Sequence, residues 1–209
     1  MATATATIPM TKADLPQNGT NGARPLLTWD DYLREGIVWE RYDIVEGVRR
    51  FMSSPVVLHQ IIVSNVHDIL RAYQRSLGNG VALFAPMDVM IRQQPRLQTR
   101  QPDNLFISED RLKTVPNYRD NGFISVAPNL VTEVLSSSDR KNVVAAKLAD
   151  YFTIGVGEAW LIRPDARTVS VMVRGLTEWT EAAQYNDTET VQSATLPDLS
   201  APVADIFQP

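Results

Sequence analysis

The chain is expected to be a mixed α/β protein, with a mixed sheet flanked by helices and a β-hairpin near its start. Three observations predict this. A short alternating segment with Glu-Gly at its centre, Arg41 to Met52, reads as a hairpin. Two long stretches, Val57 to Leu77 and the segment after Asp139, carry apolar residues at helical spacing. Between and after them lie short β-branched runs bounded by Pro, Gly and Asn, an order of elements that leads to a sheet covered by helices.

The 209 residues suit one domain, expected over residues 26–209 behind a disordered tail over residues 1–25, which is rich in Ala, Thr, Asn and Gly without periodicity. Thr28-Trp29-Asp30-Asp31 has the hydroxyl and acid of a capping box and opens a short helix. The hairpin follows, and Pro55 stops its second strand. In the next helix Ile61, Ile62, Val66, Ile69, Leu70 and Tyr73 share a face, and Gly78-Asn79-Gly80 ends it. Val81 to Ile91 reads as one β run interrupted by Pro86. Arg92 to Arg100 reads as a polar loop, Asp103 to Ile107 as a strand, and Ser108 to Val126 as a polar connection.

Leu130 to Leu135 is almost wholly apolar, as befits a central strand buried on both faces. Ser136-Ser137-Ser138-Asp139 supplies a loop and N-cap for a helix that runs to about Ile154 and closes at Gly155. Glu158 to Ile162 and Thr168 to Val173 read as a strand pair. Shorter strands are expected around Trp179 and Val191.

Composition narrows the chemistry. The formal charge of -4 gives no general attraction to nucleic acid, so any such contact rests on local basic groups. Candidates are Arg92, Arg96, Arg100, Arg140 and Lys141, each with a solvated surface as the plainer alternative. The absence of cysteine excludes disulfides, thiolate metal sites and thiol nucleophiles. With only two histidines, any metal site is carboxylate-based and suited to magnesium or manganese. No apolar run reaches the roughly 18 residues of a membrane span, and the start does not read as a secretory signal. A cytoplasmic location is the default expectation.

Three charged residues stand out. Glu133 lies mid-strand and shares a face with Val131 and Leu135, where an ionised carboxylate costs several kcal/mol unless compensated. A strand-end position or an arginine partner would also account for it. Lys147 lies within the stripe Val144, Leu148, Tyr151 of the following helix, which should pack back over the Glu133 strand, although lysine can also snorkel outward. Asp103 follows a proline at the head of another strand. Together they offer two acids for a divalent ion, which acidifies water and polarises a phosphoryl oxygen, and a lysine to orient the attacking water.

The phrases carrying this pattern are Tyr42-Asp43-Ile44-Val45-Glu46-Gly47, His59-Gln60, Ala85-Pro86-Met87-Asp88-Val89, Gln101-Pro102-Asp103-Asn104-Leu105, Pro128-Asn129-Leu130-Val131-Thr132-Glu133-Val134-Leu135-Ser136 and Lys147-Leu148-Ala149-Asp150-Tyr151, continuing to Gly155-Val156-Gly157-Glu158-Ala159-Trp160. Collectively they resemble the PD-(D/E)xK nuclease superfamily and, within it, the Uma-two family of restriction-endonuclease-like proteins. The resemblance covers about Thr28 to Val173. It implies a restriction-endonuclease-like core and magnesium-dependent hydrolysis of phosphodiester bonds in DNA. Asp103, Glu133 and the Val134 carbonyl would hold the metal and Lys147 would serve the nucleophile, with a homodimer suited to cutting both strands.

The chain departs from the family pattern in three places. Leu135 stands where the superfamily lysine usually follows the glutamate, so Lys147 takes its role by resemblance. Val48 and Val143 stand where acids are frequent, and Glu46 is a candidate replacement for the first. Asp88 and His59 also match, with a structural hydrogen bond and a cap or packing role as their alternatives. Glu158 and Trp160 read as structural. A nuclease-fold module that binds nucleic acid or regulates without cutting is the alternative that Val48 and the acidic charge favour. A hydrolase for another phosphate ester and a structural homodimer are further ones.

Overall fold

The computed structural model describes residues 25–36, 38, 40–136 and 140–209. The expected tail over residues 1–25, apart from Pro25, and the expected cap at Asp139 lie outside them. Helix α1 (Trp29–Glu35) opens with the anticipated capping box, Thr28 and Asp31 bonding reciprocally. Strands β1 (Tyr42–Val45) and β2 (Val48–Phe51) form the hairpin. Its two-residue turn has positive φ at both Glu46 and Gly47, which suits glycine at the second position. Helix α2 (Val57–Leu77) buries Ile62, Val63, Val66, Leu70 and Tyr73 and ends on Gly78 in the left-handed conformation.

The run expected over Val81 to Ile91 divides at Pro86 into β3 (Val81–Phe84) and β4 (Asp88–Arg92), which belong to different sheets. Proline lacks the N–H needed to continue a ladder, so the chain changes sheet there. The expected loop Arg92 to Arg100 contains strand β5 (Gln98–Arg100), buried throughout between β1 and β4. Its polar sequence conceals a strand because Arg100 is neutralised in place. Arg100 Nη1 meets Asp43 Oδ2 at 2.8 Å and Nε meets Asp150 Oδ2 at 2.6 Å. Strand β6 (Asn104–Ile107) follows, and the polar connection beyond it carries α3 (Glu109–Leu112) and β7 (Phe123–Ile124).

Strand β8 (Leu130–Val134) is buried along its whole length. Helix α4 (Lys141–Ile154), strands β9 (Glu158–Arg163), β10 (Thr168–Arg174), β11 (Trp179–Asn186), β12 (Thr190–Gln192) and β13 (Ser200–Pro202), and helix α5 (Val203–Ile206) complete the described chain. One mixed sheet was expected, and two large ones are present. The central sheet has the order β11-β10-β9-β8-β6-β3, with β8 and β9 parallel and the other neighbours antiparallel. The second has the order β2-β1-β5-β4-β7.

The alternation of β8 sorts the two sides of the central sheet. Leu130 and Val134 join α2, α5 and Trp160 in one apolar core. Val131 faces the other way, into a core with Tyr151 of α4 and Val89 and Ile124 of the second sheet. Glu133 shares the Val131 face, so it points toward α4.

Candidate metal centre

Asp103 stands immediately before β6, and its position is fixed from both sides. Its N–H donates to the Thr132 carbonyl at 3.1 Å, and its own carbonyl accepts from Ala85 N at 3.1 Å. Asp103 Oδ2 then accepts the Val134 N–H at 2.7 Å, acting as a ladder acceptor where the β6 backbone has run out. Its Oδ1 accepts from Arg41 Nη2 and lies 3.2 Å from His59 Nε2. Glu133 is one residue from Val134 on the neighbouring strand. Lys147 Nζ donates to its Oε2 at 2.6 Å, and Tyr151 Oη donates to its Oε1 at 2.5 Å. Lys147 and Tyr151 are four residues apart, so one face of α4 delivers both donors to one carboxylate.

These groups line the inner part of a cleft of about 610 Å³, with Arg41, His59, Asp103, Glu133, Val134 and Lys147 all exposed to it. Apolar residues from two parts of the chain, among them Met52, Pro55, Val56 and Leu58 and then Val143 and Val144, also line it, together with Ser53, Ser54 and Asp165. Both acids are nonetheless nearly closed off from bulk water, at 2% exposure for Asp103 and 4% for Glu133.

Burial and charge act on the two acids with different outcomes. Burial works to raise the Asp103 pKa, but the His59 hydrogen bond, the Arg41 charge and Lys147 outweigh it and hold the group at about 2. Burial raises the Glu133 pKa, and the Asp103 charge adds to that. Lys147 and Tyr151 pull it back only partly, so Glu133 remains above the ordinary glutamate value. Burial works against the Lys147 charge, but Glu133, Asp43 and Asp103 overcome it and raise its pKa. The pair therefore titrates apart: Asp103 stays ionised, and Glu133 is the acid that takes up a proton first.

The donor set is compatible with a small hard cation. A carboxylate offers about four lone-pair directions. Asp103 has three polar neighbours and Glu133 two, so both retain acceptor capacity beside the cleft. Magnesium commonly binds through one or two carboxylates and keeps several waters. No group of three or more metal-type side chains occurs among the described residues, so a metal here would rest on these two acids.

The expected residues are not all brought together. Asp103, Glu133, Val134 and Lys147 meet, and the contribution of Val134 is an N–H to Asp103. Glu46 does not join them. It occupies the exposed hairpin turn, where Arg92 and Arg96 pair with it, because its place in a tight turn directs it away from the cleft. Asp88 is a structural acceptor for Tyr32 Oη, Tyr42 Oη and Gln101 Nε2. His59 reaches Asp103, where a cap or packing role was the alternative. Sequence reasoning missed Arg41 and took Tyr151 only as part of an apolar stripe.

The fold is of the mixed α/β class, and it gathers two buried carboxylates and a lysine inside one cleft. The Uma2 profile, described as putative restriction endonuclease, matches residues 29–204, and the chain belongs to this family. The solved structure of a putative nuclease belonging to DUF820 from Anabaena variabilis ATCC 29413 is similar in fold, with a TM-score of 0.70 and 18% identity. The match covers 87% of this chain and 97% of that one. At that identity the likeness bears on fold alone. No curated protein matches the chain.

Proposed function

We propose that this protein is a metal-dependent endonuclease that hydrolyses phosphodiester bonds in DNA. The observation that carries the proposal is the meeting of Asp103, Glu133 and Lys147, distant in sequence, inside one cleft. Asp103 and Glu133 would hold magnesium or manganese, with the Val134 main chain beside them. The ion would supply a water of lowered pKa and a Lewis acid for the phosphoryl oxygen.

The chain's own groups do the rest. Asp103 remains a full anion across the physiological range, and its backbone and side-chain bonds hold it rigidly. Glu133 is kept in one orientation by Tyr151. Lys147, charged and anchored on Glu133, lies where it can orient an attacking water and balance charge that develops on the phosphate. The burial of both acids limits bulk water around them, which strengthens their electrostatic action.

A homodimer would present two such clefts to the two strands of a duplex. No helix of the described residues is long and apolar enough to cross a membrane.

A second reading, a nuclease-fold module that binds nucleic acid or regulates without cleaving it, draws on a specific observation. Both acids already have a cationic partner, and the described residues hold no group of three metal-type side chains. Incubation of the pure protein with plasmid and linear DNA, and with RNA in parallel, plus magnesium or manganese, separates the two. The endonuclease nicks or linearises DNA, and Asp103→Ala and Lys147→Ala abolish the cutting. A protein that binds DNA but leaves it intact at every metal concentration is the module.

A further inference from the structure

The acid pair is accompanied by a cation that the reaction just described does not use. Arg41 lies just before β1 at the wall of the cleft, its side chain 20% exposed. Its Nη2 donates to Asp103 Oδ1 and, at 3.3 Å, to the Gln101 carbonyl. Guanidinium carries five N–H donors in a planar fork. Nε of Arg41 is buried with no hydrogen-bond partner among the described residues, and Nη1 donates to none of them. One arm of the fork is thus occupied while the remainder has no acceptor among the described residues.

Charge gives the second strand of the inference. Arg41 and Lys147 face Asp103 and Glu133, so two cations balance two anions. A divalent ion added to this cluster leaves it two charges positive, and a guanidinium on the same Asp103 oxygen is then a like-charge neighbour. Such a cluster requires an anion, and a planar fork with unused donors suits a phosphate oxygen pair better than a point charge does.

We infer that Arg41 is an exchangeable counterion: it occupies Asp103 before the metal arrives, then turns its guanidinium to the scissile phosphodiester. This rests on the metal-dependent reading above and adds a substrate-binding residue to it. It also sets the order of loading, since the ion must compete with Arg41 for Asp103 when no nucleic acid is present, and the phosphate relieves that competition.

The consequence is a pair of effects with opposite signs. Removing the charge should help the metal and harm the nucleic acid, whereas loss of a mere support for Asp103 should harm the metal. The experiment is manganese calorimetry on the full chain without DNA, together with fluorescence anisotropy of a labelled duplex with and without calcium. It compares wild type, Arg41→Gln and Arg41→Lys, each checked for folding by circular dichroism.

For Arg41→Gln the expected result is manganese affinity about tenfold tighter and duplex affinity in calcium about tenfold weaker, each a change of about 1.4 kcal/mol. Without calcium its duplex affinity should stay within about twofold of wild type. Arg41→Lys keeps a charge but not the fork. It should bind manganese like wild type and the duplex in calcium several-fold more weakly, so it carries the test if Arg41→Gln fails to fold.

Weaker manganese binding in Arg41→Gln, or duplex binding in calcium unchanged in either variant, overturns the inference and leaves the metal-dependent reading standing. Wild type that takes up no manganese removes that reading, and the inference with it.

Discussion

Two glutamates are buried on neighbouring strands of the central sheet, Glu133 on β8 and Glu158 on β9, and their surroundings are opposite. Glu158 is fully buried and has four neutral donors. Trp160 Nε1 donates at 2.6 Å, Ser193 Oγ at 2.8 Å, Thr195 N at 2.8 Å and Thr195 Oγ1 at 2.7 Å. Oε2 takes three of these donors and Oε1 the fourth, and the side chain lies on the Trp160 side of the sheet, away from the cleft. Glu133 has two donors, one of them a lysine, and it lines the cleft. A carboxylate held by four neutral donors is a fixed part of the core. One half-satisfied beside a cation and a cleft keeps the capacity to bind something else.

The comparison can be broken most forcefully at Lys147. Lys147→Met should lower DNA cleavage by about a hundredfold to a thousandfold, since it removes a group placed to stabilise developing charge. It should also push the Glu133 pKa further up, visible as manganese binding that weakens at a higher pH than in wild type. A variant that cuts normally would place Lys147 with Glu158 as a purely structural group.

Glu158→Ala should show the reverse profile. It leaves four donors without their acceptor and should destabilise the fold by about 3 kcal/mol in urea denaturation, while manganese affinity of the folded protein stays within about twofold. Lost metal binding in a folded Glu158→Ala protein would erase the distinction between the two glutamates.

Asp103 sharpens the contrast through pH. Its folded pKa, about 2, lies below the unfolded value of 3.8, so its contribution is complete above about pH 4 and lost as pH falls toward 2. That amounts to about 2 kcal/mol, measured as a falling urea midpoint over this window, and Asp103→Asn should lack this part of the fall. Smallest of all should be Tyr151→Phe. The loss of one hydrogen bond to Glu133 should weaken manganese binding several-fold, about 1 kcal/mol, with the fold intact by near-ultraviolet circular dichroism.

Much of this geometry could be read from sequence because it follows local rules. The capping box at Thr28, the Glu-Gly hairpin, the helix Val57–Leu77 and the continuous β8 run each depend on neighbours along the chain. The placing of Lys147 over β8 followed from the stripe shared with Tyr151 and from the short connection between the two elements.

What remained hidden depends on partners distant in sequence. Strand β5 looked like a loop because Arg100 is charged, and only Asp43 and Asp150, 57 and 50 residues away, make its burial possible. Arg41 and His59 gain their meaning from Asp103, 62 and 44 residues along the chain. Glu46 was misplaced for the converse reason. Its local motif matched, but the turn directs it to Arg92, away from the cleft.

The most direct measurement is a crystal soaked in manganese, with anomalous scattering collected for wild type and for Glu133→Gln. The expected result is one manganese peak between the Asp103 and Glu133 carboxylates in wild type and none there in the variant. A soaked wild-type crystal with no peak at that place, and with Arg41 and Lys147 still closed on the two acids, would contradict the metal-centre assignment and leave the cleft without its chemistry.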